Sequence, residues 1–440
     1  MIISIEAAQR LDSRGKPTVQ VWVTTGKGTF RSLVPSGASK GAYEALELRD
    51  GDASVYQSNG VLKAVRNVNE ILAPAIIARK FDIGKDLANI DALMRELDGT
   101  TDKSNLGANA ILGISMACAR AGAAEQNVPL YEFLRQQSRS HKPYIMPVPF
   151  FNVLNGGVHS GNLMAFQEFM IAPVGATSLT HAVQMGSEVY QTLKAVIKST
   201  FDGAATGVGD EGGFAPPISK PHEALDLLVT AIEKCGYTGL VKIGVDPASS
   251  EFFNSGIYDL GFKHPPSTSS DTKLFATQLS QLYRELIAKY PIVLLEDPFA
   301  EDDWTAWSEF NETCKVELVG DDLLATNIDR IKTAEEKKAC NSLLLKVNQI
   351  GTITEAIEAA EMAFSLGWSV FVSHRSGETT DDFIADLTVA LGTGHLKSGS
   401  PCRGERVAKY NRLMDIEAEL DAQGQRHLYA GTNFGQTHAL

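Results

Sequence analysis

Apolar and polar residues alternate through PTVQVWVTT at 17–25, the period of a half-buried strand, and Ile2 to Ile5 starts another. The first 55 or so residues therefore read as strands and turns. From Leu62 to Glu125 the spacing becomes helical. Within it GANAILGISMACARAGAAEQ is rich in small residues, which suit a closely packed core helix. Around SRSHKPYIMPVPF the composition shifts to prolines and polar residues, which predicts a boundary near residue 141. The expected division is an N-terminal α+β domain over 1–140 and a second domain over 141–440.

The second domain repeats one theme. Apolar runs (MPVPFFNVL, FMIAPVG, LVKIGVD, IVLLEDP, VELVGDD, SLLLKVN, WSVFVSH and the short HLKSG) alternate with helical stretches such as HEALDLLVTAIEKCG and TITEAIEAAEMAFSLG. Strand–helix alternation predicts parallel βα units, and eight runs predict an α/β barrel with its site at the strand C-termini. No helix-length segment separates the first two runs. The barrel is therefore expected to begin with an antiparallel pair.

The ends of these runs carry the chemistry. Asp246, Glu296 and Asp321 close three consecutive runs, and Lys346, His374 and Lys397 close the next three. One such acid reads as a strand meeting water. Six charged or polar ends in a row, converging on one barrel mouth, read as a site. Three carboxylates without His or Cys suit Mg²⁺ and argue against Zn²⁺. The two lysines are expected to depress each other's pKa, burial adding to the effect, which would make one a general base near neutral pH. Metal plus lysine points to removal of a carbon-bound proton beside a carboxylate. In IVLLEDPFAEDDW only Glu296 gains a role this way; Asp297 and the acids Glu301 to Asp303 are expected to be solvated.

Composition narrows the class. The chain has 440 residues and a formal charge of −13, which argues against nucleic acid and anionic membranes as partners but leaves room for a phosphorylated small substrate. Five scattered cysteines without C-x-x-C fit a reducing compartment. No signal peptide or membrane span is evident, so a cytoplasmic location is expected.

Three glycine-rich stretches add candidates. GVGDEGGF at 207–214 contains a literal G-x-G-x-x-G, but Asp210 and Glu211 would face a pyrophosphate, so the stretch reads as a tight loop, either a plain acidic turn or one presenting Glu211 as an acid. HRSGETTDD places Arg375 and Ser376 directly after a strand, where an arginine is usually a surface residue but could here serve as a phosphate grip. VPSGASKGAYEALELRD lacks a P-loop ending and reads either as a lid carrying Ser39 or as a simple flexible connection. In VLNGGVHSGNLMAFQEF, His159 sits in a glycine-rich loop and Gln167-Glu168 open a strand.

These motifs, with DSRGKPTVQV, LGANAILGISMA, FQEFMIAP, VGDDLLATN and KSGSPCRGER, fall in order along the chain and closely resemble the enolase family. The family's lysine base and Mg²⁺ site are a documented example of pKa tuning. The resemblance implies reversible dehydration of 2-phosphoglycerate to phosphoenolpyruvate in glycolysis and gluconeogenesis. Lys346 would take the C2 proton, and Glu211, assisted by Glu168, would protonate the departing hydroxyl, with His374 beside them. Asp246, Glu296 and Asp321 would hold one Mg²⁺, and a second would arrive with substrate and recruit Ser39. Arg375 and Ser376 would grip the phosphate, with Lys397, His159, Gln167 and Ser373 completing the pocket. It also implies a homodimer whose N-terminal domain caps the barrel. Lys40, His395 and Pro247 depart from the usual pattern, as do the extra prolines and serines of FKHPPSTSSDTK; lid motion and turnover are where these would tell. Two rivals stand: another enzyme of the superfamily, which would not need Arg375-Ser376, and a non-catalytic surface-binding role, for which the ending THAL lacks the C-terminal lysine of plasminogen capture.

Overall fold

The computed structural model describes residues 1–37, 41–138, 143–264 and 272–439. Ser39, Lys40 and most of the FKHPPSTSSDTK loop lie outside them. The alternating N-terminal pattern forms a three-stranded antiparallel sheet in the order β1 (Ile2–Leu11), β2 (Pro17–Thr25), β3 (Gly28–Leu33). Val19, Val21 and Val23 of β2 point to one face and are fully buried. That face packs against the helix Ala108–Gln126. The small residues of this helix serve a close helix-on-sheet contact: a Cβ at Gly113 would lie 2.6 Å from the Val21 side chain. Each buried valine contributes roughly 1.5–3 kcal/mol by leaving water. Residues 41–55 form no strand, so the run of strands predicted for this end stops at Leu33.

The eight apolar runs form a closed barrel. Its strands are β4 (Val148–Asn155), β5 (Glu168–Ala172), β6 (Lys242–Asp246), β7 (Ile292–Glu296), β8 (Glu317–Gly320), β9 (Ser342–Leu345), β10 (Ser369–Ser373) and β11 (Gly394–Lys397). Around the ring they run β7-β8-β9-β10-β11-β4-β5-β6. β5 is antiparallel to both neighbours and the other adjacent pairs are parallel, so the expected antiparallel start is present. A reversed β5 brings its first residue, Glu168, level with the last residue of β6, Asp246. The connection from β4 to β5 therefore crosses the mouth.

Below the mouth the lumen is filled by Phe150, Phe371 and His395, the His395 ring stacking on Phe371 at 4.4 Å. Phe434, from the terminal segment Gly431–Ala439, packs beneath them at 5.3 Å from Phe150. Position 395 therefore belongs to the barrel core: His395 Nε2 lies 2.8 Å from Glu317 Oε1. Pro247 is buried beside Asp246. The segment after β10 is fastened to the N-terminal domain, where Asp381 accepts two bonds from the Arg120 guanidinium at 2.9 and 3.0 Å and one from the Leu33 amide at 3.0 Å.

Candidate active site

The strand ends meet in a narrow cleft, and the charges across it are paired. Lys397 Nζ, at the end of β11, lies 2.7 Å from Glu296, 3.1 Å from Glu168 and 3.5 Å from Asp246. Lys346, immediately after β9, pairs with Asp321, whose second oxygen accepts a bond from Gln349 at 2.8 Å. His374 lines the same cleft, so all six expected strand-end residues come together. Burial, then repulsion from Glu296, raises the Asp246 carboxyl well above its ordinary range, and burial raises Glu296 as well. Asp321 stays low because Lys346 and Lys397 outweigh its burial.

One expectation is reversed. Neither lysine is depressed: burial pulls each pKa down, but Asp321 at Lys346, and Glu168, Glu296 and Asp246 at Lys397, raise both above the ordinary lysine value. Each lysine is paired directly with carboxylates, and those carboxylates, rather than the other lysine, decide its charge.

The donor set fits a hard cation. Glu168, Asp246, Glu296 and Asp321 are four buried carboxyl groups set against two lysines, so acidic groups outnumber the lysines that face them. Among the described residues Glu296 Oε2 is buried without a hydrogen-bond partner, which is costly for a carboxylate oxygen. Two tight groups of buried or half-buried ligand atoms, His159–Glu168–Glu211 and Asp297–Asp321–Asp322, lie within 4.8 Å internally; of the expected trio, only Asp321 belongs to either. In this arrangement Lys397 sits among Asp246, Glu296 and Glu168 as their internal counter-charge.

Opposite Lys346 is an acid cluster. The loop 207–214 is a tight turn, Gly209 N–H bonding Gly213 O at 2.8 Å, and it offers Glu211 to the cleft. Glu211 Oε2 accepts from Asn152 Nδ2 at 2.9 Å and lies 3.3 Å from His374 Nε2, while Oε1 lies 3.6 Å from His159 Nδ1. Burial would raise Glu211, but His374, His159 and Arg406 hold it well below the usual carboxylate range. Glu168 next to it is pushed up to about 8, chiefly by burial and then by Glu211. At neutral pH the resting proton of this acid pair therefore sits on Glu168.

Arg375 lies in the cleft, bonded by Nη1 to Glu44 Oε2 at 2.9 Å and by Nη2 to Glu44 Oε1 at 3.2 Å. Ser376, Gln167 and Ser373 line the same cleft, the Ser373 hydroxyl donating to the His374 carbonyl at 2.9 Å. Asp297 is a second correction: it is buried, with φ +40°, and it accepts the Asp321 and Asp322 amides. Glu301 and Asp303 are half-buried; Asp303 caps the helix Trp304–Asn311 and takes a bond from the Tyr258 hydroxyl, leaving Asp302 exposed.

Sequence reasoning missed Glu44, Asn152, Asp297 and Arg406. Two carried a visible signal. Asn152 is the polar residue inside the apolar run VPFFNVLN, and Arg406 falls on the buried face of the helix Gly404–Ala422, in phase with Tyr410 and Leu413. Glu44 and Asp297 stood among other acids with nothing to single them out.

A closed barrel with carboxylates facing lysines at its strand ends, entered by one reversed strand, defines an α/β-barrel acid–base site. Residues 143–438 match the family model described as enolase, C-terminal TIM barrel domain, and residues 2–134 match enolase, N-terminal domain. The chain belongs to the enolase family. Among the described residues no helix is long and apolar enough to cross a membrane.

Proposed function

We propose that this protein is a Mg²⁺-dependent hydro-lyase that interconverts 2-phosphoglycerate and phosphoenolpyruvate. One observation carries the reading: Lys346 follows β9 and Glu168 opens β5, four places apart in an eight-stranded ring, so base and acid stand on opposite walls of the cleft. That placement suits removal of a proton from one face of a small substrate and a hydroxyl from the other. Asp246, Glu296 and Asp321 would hold the cation, which when bound supplies Lewis-acid stabilisation of charge on the substrate carboxylate. Lys346 accepts the C2 proton once Asp321 is engaged elsewhere and no longer holds it protonated. Glu211 and Glu168 share the proton delivered to the leaving hydroxyl. Arg375 and Ser376 take the phosphate, Ser39 belongs to the second cation, and Lys397, His159, Gln167 and Ser373 complete the pocket. Family membership supports a place in glycolysis and gluconeogenesis, a cytoplasmic location and a homodimer. The test is the ultraviolet absorbance of product on mixing protein, Mg²⁺ and 2-phosphoglycerate. The expected result is a rise that chelator abolishes and Lys346→Ala lacks; no rise at saturating Mg²⁺ overturns the reading.

A further inference from the structure

Arg406 lies in the first turn of the helix Gly404–Ala422 and is fully buried. Its Nη1 lies 2.6 Å from His374 Nδ1 and donates to Arg375 O at 2.6 Å, and its Nη2 donates to Ser376 O at 2.7 Å and Asp210 O at 3.0 Å. The backbone is shaped around it. Gly399 has φ +71°, and a Cβ there would lie 2.6 Å from Glu211 O and 2.9 Å from Arg406 Cδ.

A guanidinium offers only donors and keeps its proton. The His374 Nδ1 beside it must therefore be an acceptor without hydrogen. A neutral imidazole then carries its single proton on Nε2. That nitrogen lies 3.3 Å from Glu211 Oε2.

We propose that Arg406 is a positioning residue that locks His374 as the neutral Nε2–H tautomer, leaving that N–H beside Glu211, with which it forms no hydrogen bond among the described residues, at constant charge throughout turnover. The proposal rests on the reading of Glu211 as a group that faces substrate. The charged groups around the ring are Glu211, Arg406 and Glu378, the last already engaged by Lys409 at 2.8 Å. Burial first, with Arg406 opposing the pull of Glu211, pushes His374 down to about 4, in keeping with a ring that stays neutral.

Two measurements on the full-length protein decide it. Neutron diffraction from deuterated crystals at pH 7 is expected to place a deuteron on His374 Nε2 and none on Nδ1; a deuteron on Nδ1 overturns the proposal whatever the activity. In Arg406→Met the opposing charge is gone while burial remains, so protonation of His374 becomes easier and kcat is expected to gain an acidic limb absent from wild type. Arg406→Lys, which restores a donor-only cation, is expected to keep the wild-type profile shape. A kcat lowered equally at every pH in Arg406→Met would mark a merely structural residue and overturn the proposal. If wild type fails to turn over 2-phosphoglycerate, the functional reading fails while the deuteron still decides the tautomer.

Discussion

Asp297 and Asp321 are joined carboxylate to amide: Asp297 Oδ1 accepts the Asp321 N–H at 2.9 Å, and Oδ2 accepts that of Asp322 at 2.8 Å. The Asp297 amide in turn donates to Val319 O at 3.0 Å. Asp297 thus clamps the end of β7, carrying Glu296, to the end of β8, carrying Asp321. An amide in its place can accept only one of the two bonds, so Asp297→Asn is expected to lose about 1–3 kcal/mol of stability. Mg²⁺ affinity should fall roughly 10–100-fold through misaligned ligands. Thermal melts with and without Mg²⁺ measure both, and unchanged Mg²⁺ affinity would show that the clamp does not orient the ligands.

Glu44 holds Arg375 by two parallel bonds, the geometry that fixes a guanidinium plane. Asn348 adds a third bond to Nη1 at 3.0 Å. Glu44→Gln frees the plane to turn, and the KM for 2-phosphoglycerate should rise about tenfold, the equivalent of about 1.4 kcal/mol, with kcat little changed. Steady-state kinetics give the split. An unchanged KM would mean that Glu44 does not set the orientation of Arg375.

Arg120 ties Asp381, and through it the segment bearing Arg375 and Ser376, to the N-terminal domain. Asp381 is buried, which would raise its pKa, but Arg120 and the amides of Phe383 and Leu33 keep it low. Arg120→Met leaves that charge without its main partner and should cost about 3 kcal/mol. Urea unfolding measures the loss; the double variant Arg120→Met/Asp381→Leu should recover part of it, since no buried charge then remains.

Glu317 gives a pH signature remote from the mouth. Burial pushes its carboxyl up, but His395 and the hydroxyls of Ser342 and Ser369 outweigh that and hold it below the ordinary 4.5. A depressed carboxyl adds stability that is complete above the unfolded pKa and disappears as pH falls through the folded one. Wild type should therefore lose more stability than Glu317→Gln between pH 5 and pH 3, read as the difference between two melting curves. Parallel curves would show that the pair adds nothing.

Much of this was legible in the chain. The period-two pattern of β2, the eight apolar runs and the missing helix between the first two gave the sheet, the barrel and the reversed strand, because each is a local rule of burial. The six strand-end residues followed from the barrel. Their charge states did not: the pKa of Lys346 depends on Asp321, which lies 25 residues away and touches it only after folding. Asp297 looked solvated because its partners are backbone amides, which no side-chain pattern reveals.

Lys397 stands on the last of the eight barrel strands, and it is the cation shared by Glu168, Asp246 and Glu296. During synthesis those three acids leave the ribosome first. Until Lys397 emerges and β11 docks between β10 and β4, enclosing them would strand uncompensated charge in a low-dielectric lumen. Closing the ring before β11 docks would leave those three carboxyl groups without the lysine that answers them, to be neutralised only by taking up protons.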